Sequence, residues 1–131
     1  MEIRKYNKED ENNIMKIIEQ EGEEWESYSG SNVQDKYKKA LKNSITYVAY
    51  VGDELCGYSR SLDDNGFYIY VCDLLVSPKF RGGNIGRELM ECIYEDHTDK
   101  IVYVMSDVDE YYEKQGYRKE GSVFEVLKCR E

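Results

Sequence analysis

The sequence has little of several features that mark whole classes of protein. It contains one histidine, His97, and its four cysteines are widely spaced without a CxxC pair, so the ligand cluster of a metal site is missing. No stretch approaches the ~20 apolar residues that a membrane helix needs, and the basic residues near the N-terminus have no apolar segment behind them. We therefore expect a cytoplasmic protein with reduced cysteines, no bound metal and no membrane association.

Basic residues are outnumbered as well. There are 18 lysines and arginines against 27 acidic residues, which gives a net charge of −9 and should repel nucleic acid and anionic lipid. The excess is concentrated in residues 9–26, where eight acidic residues and one lysine give a local charge of −7. Two interpretations remain open for this stretch: a solvated helix face with a loop, or an acidic rim that attracts a cationic substrate.

The hydrophobic pattern predicts one mixed α/β (α+β) domain over residues 1–131. Helices are predicted at 10–21, at 32–43, from about Ile85, and from Asp107 as N-cap to Gly116. Strands are predicted at Ile3–Tyr6, Ile45–Val51, Leu55–Leu62, Phe67–Val76 and Ile101–Met105, from Tyr117, and at Val123–Lys128. The result is a mostly antiparallel sheet of six to seven strands, flanked on both faces by about four helices. The fifth strand is apolar at every position, which predicts burial on both of its faces.

The segment Leu74–Arg87 is the most informative part of the chain. It leads from a strand through a glycine-containing loop into the start of a helix, where unpaired N–H groups and the positive end of the helix dipole favour a pyrophosphate. Glycine allows close approach of the backbone, and Arg81 and Arg87 add positive charge. The loop is neither a Walker motif nor a Rossmann fingerprint, because their lysine and full glycine pattern are absent.

This segment resembles the acetyl-CoA-binding motif of the GNAT superfamily of N-acetyltransferases. That motif, Arg/Gln-x-x-Gly-x-Gly/Ala after Val-x-Pro, corresponds here to residues 81–86 after Val76-Ser77-Pro78, with Asn84 where the family usually has glycine. A second segment, Tyr111-Tyr112-Glu113-Lys114-Gln115-Gly116-Tyr117, resembles the family's aromatic-Tyr-Glu-Lys-x-Gly-aromatic motif. One helix, one strand and one short helix separate the two, as in the family.

The resemblance implies acetyl-CoA as cosubstrate, no metal, and direct attack of a primary amine on the thioester. The backbone of Leu75 and Val76 is expected to pair with the pantetheine arm, and an N–H in that strand to polarise the thioester carbonyl. The amides that are expected to hold the pyrophosphate are those of Arg81, Gly82, Gly83, Asn84, Ile85, Gly86 and Arg87.

Two catalytic groups are expected on the same grounds. Tyr112 matches the tyrosine that protonates the departing thiolate in many relatives, although it could instead only pack the helix, and Tyr111 could be the residue that points inward. Asp73 is a charge in an otherwise apolar strand, so it is the candidate to accept the amine proton through water. The alternative is that Asp73 only hydrogen-bonds a neighbouring segment.

The acceptor side of the site is expected at Trp25 and Tyr28, between the first two helices, where family members often build that pocket. Together with the acidic residues nearby, this suggests a cationic amine of a small molecule or peptide, and the alternative is that both aromatic residues cover the core. The expected assembly is a monomer or a homodimer. Two other functions remain open on the same fold: a non-catalytic acyl-CoA-binding domain and a protein-interaction domain.

Overall fold

The structure is a computed structural model that describes residues 1–129. Its centre is a five-stranded sheet in which the strands are neighbours in chain order. The strands are β1 (Glu2–Lys5), β2 (Ile45–Val51), β3 (Glu54–Asp63), β4 (Tyr68–Val76) and β5 (Ile101–Val104). The first four form an antiparallel meander, and β5 joins β4 in parallel. A parallel neighbour requires a crossover, which a helix supplies here.

The helices lie on both faces of the sheet, as the sequence predicted. They are α1 (Glu11–Glu21), α2 (Glu26–Ser29), α3 (Gln34–Asn43), α4 (Ile85–Asp96) and α5 (Asp109–Lys114), and α2 is a single turn. Short 3-10 turns occur at Lys8–Asp10, Gly22–Trp25 and Pro78–Phe80. None of the helices in the described part of the chain has both the length and the apolar character needed to cross a membrane.

Two hydrophobic clusters separate the faces. On one face, α1 contributes Ile14 and Ile18, and α3 contributes Leu41, all of them fully buried. On the other face, α4 contributes Leu89 and Ile93, which pack against β2 and β4. Because apolar residues recur on these helices every three or four positions, each helix presents one continuous stripe to the sheet. The helices predicted at 10–21, at 32–43 and from about Ile85 are therefore confirmed.

Where the two strands pair, β4 contains one residue more than β3. Arg60 of β3 lies opposite Asp73, but the next residue, Ser61, lies opposite Val71, so that Cys72 has no partner of its own. This is a β-bulge, an irregularity that shifts the alternation of side chains along the strand by one position.

The bulge exchanges the two faces of β4. Before it, Val71 points into the cluster beneath α4. After it, Asp73 contacts Tyr37 of α3 and Leu75 joins the cluster beneath α1 and α3. In a regular strand residues 71, 73 and 75 would share one face, so the bulge is what places Asp73 on the α1–α3 face.

The C-terminal part of the prediction is wrong in three respects. Within residues 1–129, the strands predicted from Tyr117 and at Val123–Lys128 are absent, which leaves five strands there instead of six or seven. Strand β5 is consequently the edge of the sheet, and Ile101 is 53% exposed instead of buried on both faces. Helix α5 begins after Val108 without a side-chain cap, so Asp107 is not its N-cap. The apolar composition of residues 101–105 correctly predicted a strand. Its burial on both faces was not realised, because burial depends on neighbouring elements that the sequence pattern does not reveal.

We predict that the apolar residues of the C-terminal segment contribute little to stability. Val126 is 95% exposed, whereas Val71 is fully buried, so Val126→Ala should change the free energy of unfolding by less than about 0.5 kcal/mol. The same change at Val71 should cost more than about 1.5 kcal/mol. Urea unfolding of the two variants compares them directly. An equal loss for both would mean that the segment packs against a surface.

Candidate active site

The first part of the site is the side of β4 that faces β5. The pairing of the two strands extends from Tyr68 opposite Ile101 to Val71 opposite Val104, and the amide of Met105 makes one more bond to Val71. Beyond Val71 the side of β4 toward β5 has no neighbouring strand in the described part of the chain. We call residues 74–76, on this side, the open edge.

The hydrogen bonds of β3 show which backbone groups point to the open edge. Ser77, which follows β4, donates its N–H to the carbonyl of Cys56 over 2.9 Å. Backbone groups alternate sides along an extended strand, so Leu75 also turns its N–H and C=O toward β3. Leu74 and Val76 turn theirs to the open edge. Of the two residues predicted to meet the pantetheine arm, Val76 therefore faces the edge and Leu75 faces the neighbouring strand.

The second part of the site is the loop from Ser77 to Asn84, which connects β4 to α4. It contains two residues with left-handed backbone geometry, Gly82 at φ 87° and Asn84 at φ 64°. Glycine adopts this region without penalty, and asparagine tolerates it better than most residues do. Asparagine at position 84 is therefore compatible with the backbone of this loop. Helix α4 begins at the next residue, Ile85.

The amides of this loop are available to a ligand. Within residues 1–129, the backbone N–H groups of residues 82–87 donate no hydrogen bond. The first N–H of α4 with a helical partner is that of Glu88, which donates to the carbonyl of Asn84. Asn84 does not cap the helix with its side chain. A row of unpaired N–H groups at the positive end of a twelve-residue helix favours an anion.

Both arginine side chains near the loop have carboxylate partners instead. Arg81 donates its Nε to the carbonyl of Val76 over 2.9 Å and pairs with Glu21 of α1. Arg87 pairs with Glu91 one helical turn further along α4, over 2.9 Å. Both guanidinium groups are half-exposed, although the side chain of Glu21 is only 13% exposed. Exposed ion pairs contribute about 0–1 kcal/mol, so a bound phosphate could replace the carboxylate at each guanidinium.

The two tyrosines of the second motif have different surroundings. Tyr112 is buried and stacks on Tyr117 with 6.2 Å between ring centroids. Burial, with smaller effects of Tyr111, Tyr117 and Asp107, raises the pKa of Tyr112 to about 12. Tyr111 is partly exposed, and its hydroxyl lies against the backbone of Gly86 in the first turn of α4.

Asp73 lies at the centre of a buried polar network. Its Oδ2 accepts hydrogen bonds from the hydroxyl of Tyr37 over 2.7 Å and from the Nε of Arg60 over 2.5 Å. Because Tyr37 gives its only proton to Asp73, Tyr58 is the donor in the 2.6 Å bond between the two hydroxyls. The residues form a chain from Tyr58 through Tyr37 to the carboxylate.

Burial and charge act together on this network. Burial alone would lower the pKa of Arg60, but the adjacent Asp73 carboxylate outweighs it and raises that pKa, so the guanidinium stays charged. Burial, followed by the charge of Asp73, also raises the pKa values of Tyr28 and Tyr58 above the ordinary value of a phenol. The guanidinium of Arg60 therefore stays charged near neutral pH, and Tyr28 and Tyr58 stay protonated.

The structure brings the predicted acceptor residues together with Asp73. Tyr28 stacks on Tyr37 with 4.2 Å between ring centroids, and Trp25 lies edge-on to Tyr58 at 6.5 Å. Asp73 and these two aromatic residues are far apart in sequence but share one wall of the site. No hydrogen bond within the described residues joins Tyr112 to this wall.

Sequence reasoning missed Arg60, Tyr37 and Tyr58 as members of the site. A signal for Arg60 was present, because it is a charge in the strand that must pair with the strand of Asp73. Tyr37 and Tyr58 gave no such signal, since buried tyrosines at core positions are common.

The acidic stretch is partly neutralised in the folded chain. Arg4 forms two 2.8 Å bonds with the buried carboxylate of Asp10, and Arg81 pairs with Glu21. Glu19, Glu23, Glu24 and Glu26 remain exposed on α1 and the turns beside Trp25. Across residues 1–129, no group of three or more His, Cys, Asp or Glu side chains is arranged to hold a metal ion.

Comparison with known sequences finds a matching family model and several relatives. A family model described as an acetyltransferase (GNAT) domain matches residues 42–119, which is more than half of the chain. The uncharacterized N-acetyltransferase ycf52 of Pyropia yezoensis is 28% identical over 95 residues, 65% of this chain and 55% of that protein. The chain spans about half the length of the curated relatives that it matches.

Solved structures share the fold over nearly the whole length. An aminoglycoside acetyltransferase, HMB0005, from an uncultured soil metagenomic sample superposes with a TM-score of 0.75 at 21% identity, over 98% of both chains. AAC(6')-Iy, solved with the bisubstrate analog CoA-S-monomethyl-acetylneamine, has the same TM-score at 13% identity, again over 98% of both chains.

We predict that Asn84→Gly stabilises the chain and that Asn84→Val destabilises it. The left-handed backbone at Asn84 costs a residue with a side chain about 1–2 kcal/mol, which asparagine reduces and glycine removes. Urea unfolding should show a gain of up to about 1 kcal/mol for glycine and a loss of about 1–2 kcal/mol for valine. Greater stability of the valine variant would contradict the loop conformation described here.

Proposed function

Because the chain belongs to the GNAT acetyltransferase family, we propose that it transfers an acetyl group from acetyl-CoA to a primary amine of a small molecule or peptide. We take residues 1–131 as one such domain. The observation that carries the proposal is the combination of the open edge of β4 with the unpaired amides at the start of α4. One surface therefore offers backbone groups that can pair with an extended ligand segment and N–H groups that can bind an anion.

In this proposal the backbone binds the cosubstrate. The amides of residues 82–87 hold the pyrophosphate, and Arg81 and Arg87 exchange their carboxylate partners for phosphate oxygens. Leu74 and Val76 pair with the pantetheine arm through the groups they turn to the open edge. Acetyl-CoA supplies an acetyl group that is already activated as a thioester, so the protein needs only to position it and to manage charge.

Charge develops on the thioester oxygen as the amine attacks. An N–H of the open edge, at Leu74 or Val76, can donate to this oxygen, since neither group has a partner in β3. Such a donor is fixed by the sheet and does not have to reorganise during the reaction. Removal of a fixed oxyanion donor of this kind typically lowers the rate by about 10²–10³-fold.

Tyr112 is proposed to protonate the departing thiolate. A phenol whose pKa is raised to about 12 is fully protonated at neutral pH and can donate. Tyr111 is the alternative donor, because its hydroxyl lies against Gly86 beside the open edge. Phenylalanine variants of the two residues separate these assignments.

Asp73 is proposed to accept the proton of the amine through water. Free alkylamines titrate near ~10, so the acceptor must lose a proton before it attacks. The bonds from Tyr37 and Arg60 both end on Oδ2, and the hydroxyl of Tyr28 is a further hydrogen-bonding neighbour of the carboxylate. In the proposal, a water molecule bound at Oδ1 relays the proton. The hydroxyl groups of Tyr37 and Tyr58 connect the carboxylate of Asp73 to the side of the site where Trp25 lies.

The acceptor is proposed to be cationic and to bind beside Trp25 and Tyr28. The exposed glutamates next to Trp25 support this, since they raise the local concentration of positively charged ligands. One structural neighbour is an aminoglycoside acetyltransferase, and another was solved with a bisubstrate analog that joins CoA to acetylneamine, so we include aminoglycosides in the screen. The exclusion of nucleic acid and membranes as partners remains part of the proposal.

The competing function is binding of acyl-CoA, or of another protein, without turnover. The Arg60–Asp73 ion pair is the observation that favours it, because the carboxylate already has a charged partner in the folded chain. The deciding experiment is an assay of CoA release from acetyl-CoA with polyamines, lysine peptides and aminoglycosides as acceptors. Release that depends on one of these amines supports transfer. Saturable binding of acetyl-CoA without any release would support the binding function.

We predict that Tyr112→Phe lowers turnover by roughly 10²-fold and leaves the affinity for CoA nearly unchanged. The hydroxyl is lost, but the ring that packs on Tyr117 remains. Tyr47→Phe is the matched control, since its buried hydroxyl bonds Asp96 at the far end of α4. Turnover equal to that of the parent chain would remove Tyr112 from the mechanism, and a loss in Tyr111→Phe alone would transfer its role.

We predict that Asp73→Asn loses turnover by about 10²-fold or more at unchanged CoA affinity. The variant also leaves Arg60 unpaired, which lowers stability by up to about 3–5 kcal/mol. Asp10→Asn is the matched control, because Asp10 is likewise buried and bound by an arginine and a tyrosine, Arg4 and Tyr50. Rates are compared under conditions in which both variants are folded. Equal rates in the two variants would restrict Asp73 to a structural role.

A further inference from the structure

The contact between Tyr111 and Gly86 is unusually close. A Cβ placed on Gly86 would lie 2.5 Å from the hydroxyl oxygen of Tyr111 and 3.7 Å from Cδ2 of Leu74. Side chains do not approach a Cβ within 3.0 Å, so the phenol occupies a position that only a glycine at residue 86 permits. The tip of Tyr111 therefore lies between the first turn of α4 and the side chain of Leu74.

This position is in the path that a bound CoA would take. Gly86 is one of the residues whose unpaired amides are proposed to hold the pyrophosphate, and a Cβ on it would lie 3.7 Å from the side chain of Leu74, a residue of the open edge. A single ligand that binds both the open edge and these amides would therefore pass Gly86. In the structure, the phenol of Tyr111 fills that position.

No hydrogen bond from the described residues holds the phenol in place, although its ring packs edge-on to that of Tyr112 with 5.1 Å between centroids. Within residues 1–129 the hydroxyl of Tyr111 makes no hydrogen bond, and the residue is 39% exposed. It belongs to a six-residue helix whose N-terminus has no side-chain cap. Tyr112, by comparison, is buried against Tyr117. A rotation of Tyr111 toward solvent would therefore break no polar contact.

We propose that Tyr111 is a gate on the channel for the pantetheine arm: its phenol closes the passage over Gly86 in the free protein and swings out when acetyl-CoA binds. The inference rests on the proposed function with Tyr112 as the proton donor, since a phenol that has swung out cannot protonate the thiolate. A protein whose binding-competent state is only partly populated binds its ligand more weakly by that fraction. Removal of the gate should then strengthen binding, although a side chain at the site is lost.

The first test measures binding of acetyl-CoA by calorimetry and stopped-flow association. Tyr111→Ala should bind at least about threefold more tightly than the parent chain, mainly through faster association. Tyr111→Phe, which removes only the hydroxyl over Gly86 and preserves the helix packing, should move in the same direction by a smaller factor. Tyr94→Ala, an exposed tyrosine of α4, should bind like the parent chain.

The second test establishes where the phenol lies without any ligand. Gly86→Ala introduces a Cβ that would lie 2.5 Å from the hydroxyl, so it should displace the phenol toward solvent and shift the ring resonances of Tyr111 in an NMR spectrum. Because no hydrogen bond from the described residues holds the phenol, the melting temperature should fall by less than about 3 °C. Ring resonances of Tyr111 that are the same in Gly86→Ala and in the parent chain would overturn the contact and the gate with it.

The outcomes separate the gate from the function on which it rests. Parent, Tyr111→Phe and Tyr111→Ala chains that bind acetyl-CoA equally well would overturn the gate and leave Tyr111 as a packing residue, with the proposed function intact. Weaker binding of both variants would overturn it too, and make Tyr111 a ligand contact. If none of the chains binds acetyl-CoA, the proposed function fails together with the gate.

Discussion

The β-bulge at Cys72 is the constraint on which the site depends. The extra residue exchanges the faces of β4, so that Val71 packs beneath α4 while Asp73 and Leu75 point to α1 and α3. A carboxylate in a central strand is tolerable only where hydrogen-bond donors surround it, and the face beneath α3 provides them. The same strand loses its parallel neighbour at Val71, immediately before the bulge. The buried charge and the open edge therefore meet on one segment of four residues.

Much of the fold followed from periodicity and from turn residues. The bounds of β2 and the start of α4 agree with the structure to the residue, because a clear change of period or a glycine-rich loop marks each of them. The path from β4 through the loop to α4 was predicted from the same segment that carries the family motif. Helices on both faces followed from apolar stripes that had to be buried on a single sheet.

Other features depended on partners that lie far apart in sequence. The exposed C-terminal segment has an apolar composition like that of a strand. A strand must also pair with a free edge of the sheet, and the periodicity of a sequence does not show whether such an edge lies within reach. The direction of the Leu75 backbone depends on the register with β3, which the bulge shifts by one residue. Arg60 and Tyr37 come to Asp73 from a neighbouring strand and a helix, so their role was visible only in three dimensions.

The central claim is that one continuous surface, from the open edge of β4 to the first turn of α4, binds acetyl-CoA through backbone groups. The most direct measurement is the change in backbone amide resonances during an NMR titration with CoA, with ATP as the comparison ligand. We expect large, saturable shifts at Leu74 and Val76 and across residues 82–87, with little change at Leu75, whose amide faces β3. Shifts confined to the loop, or equal shifts with ATP, would contradict it.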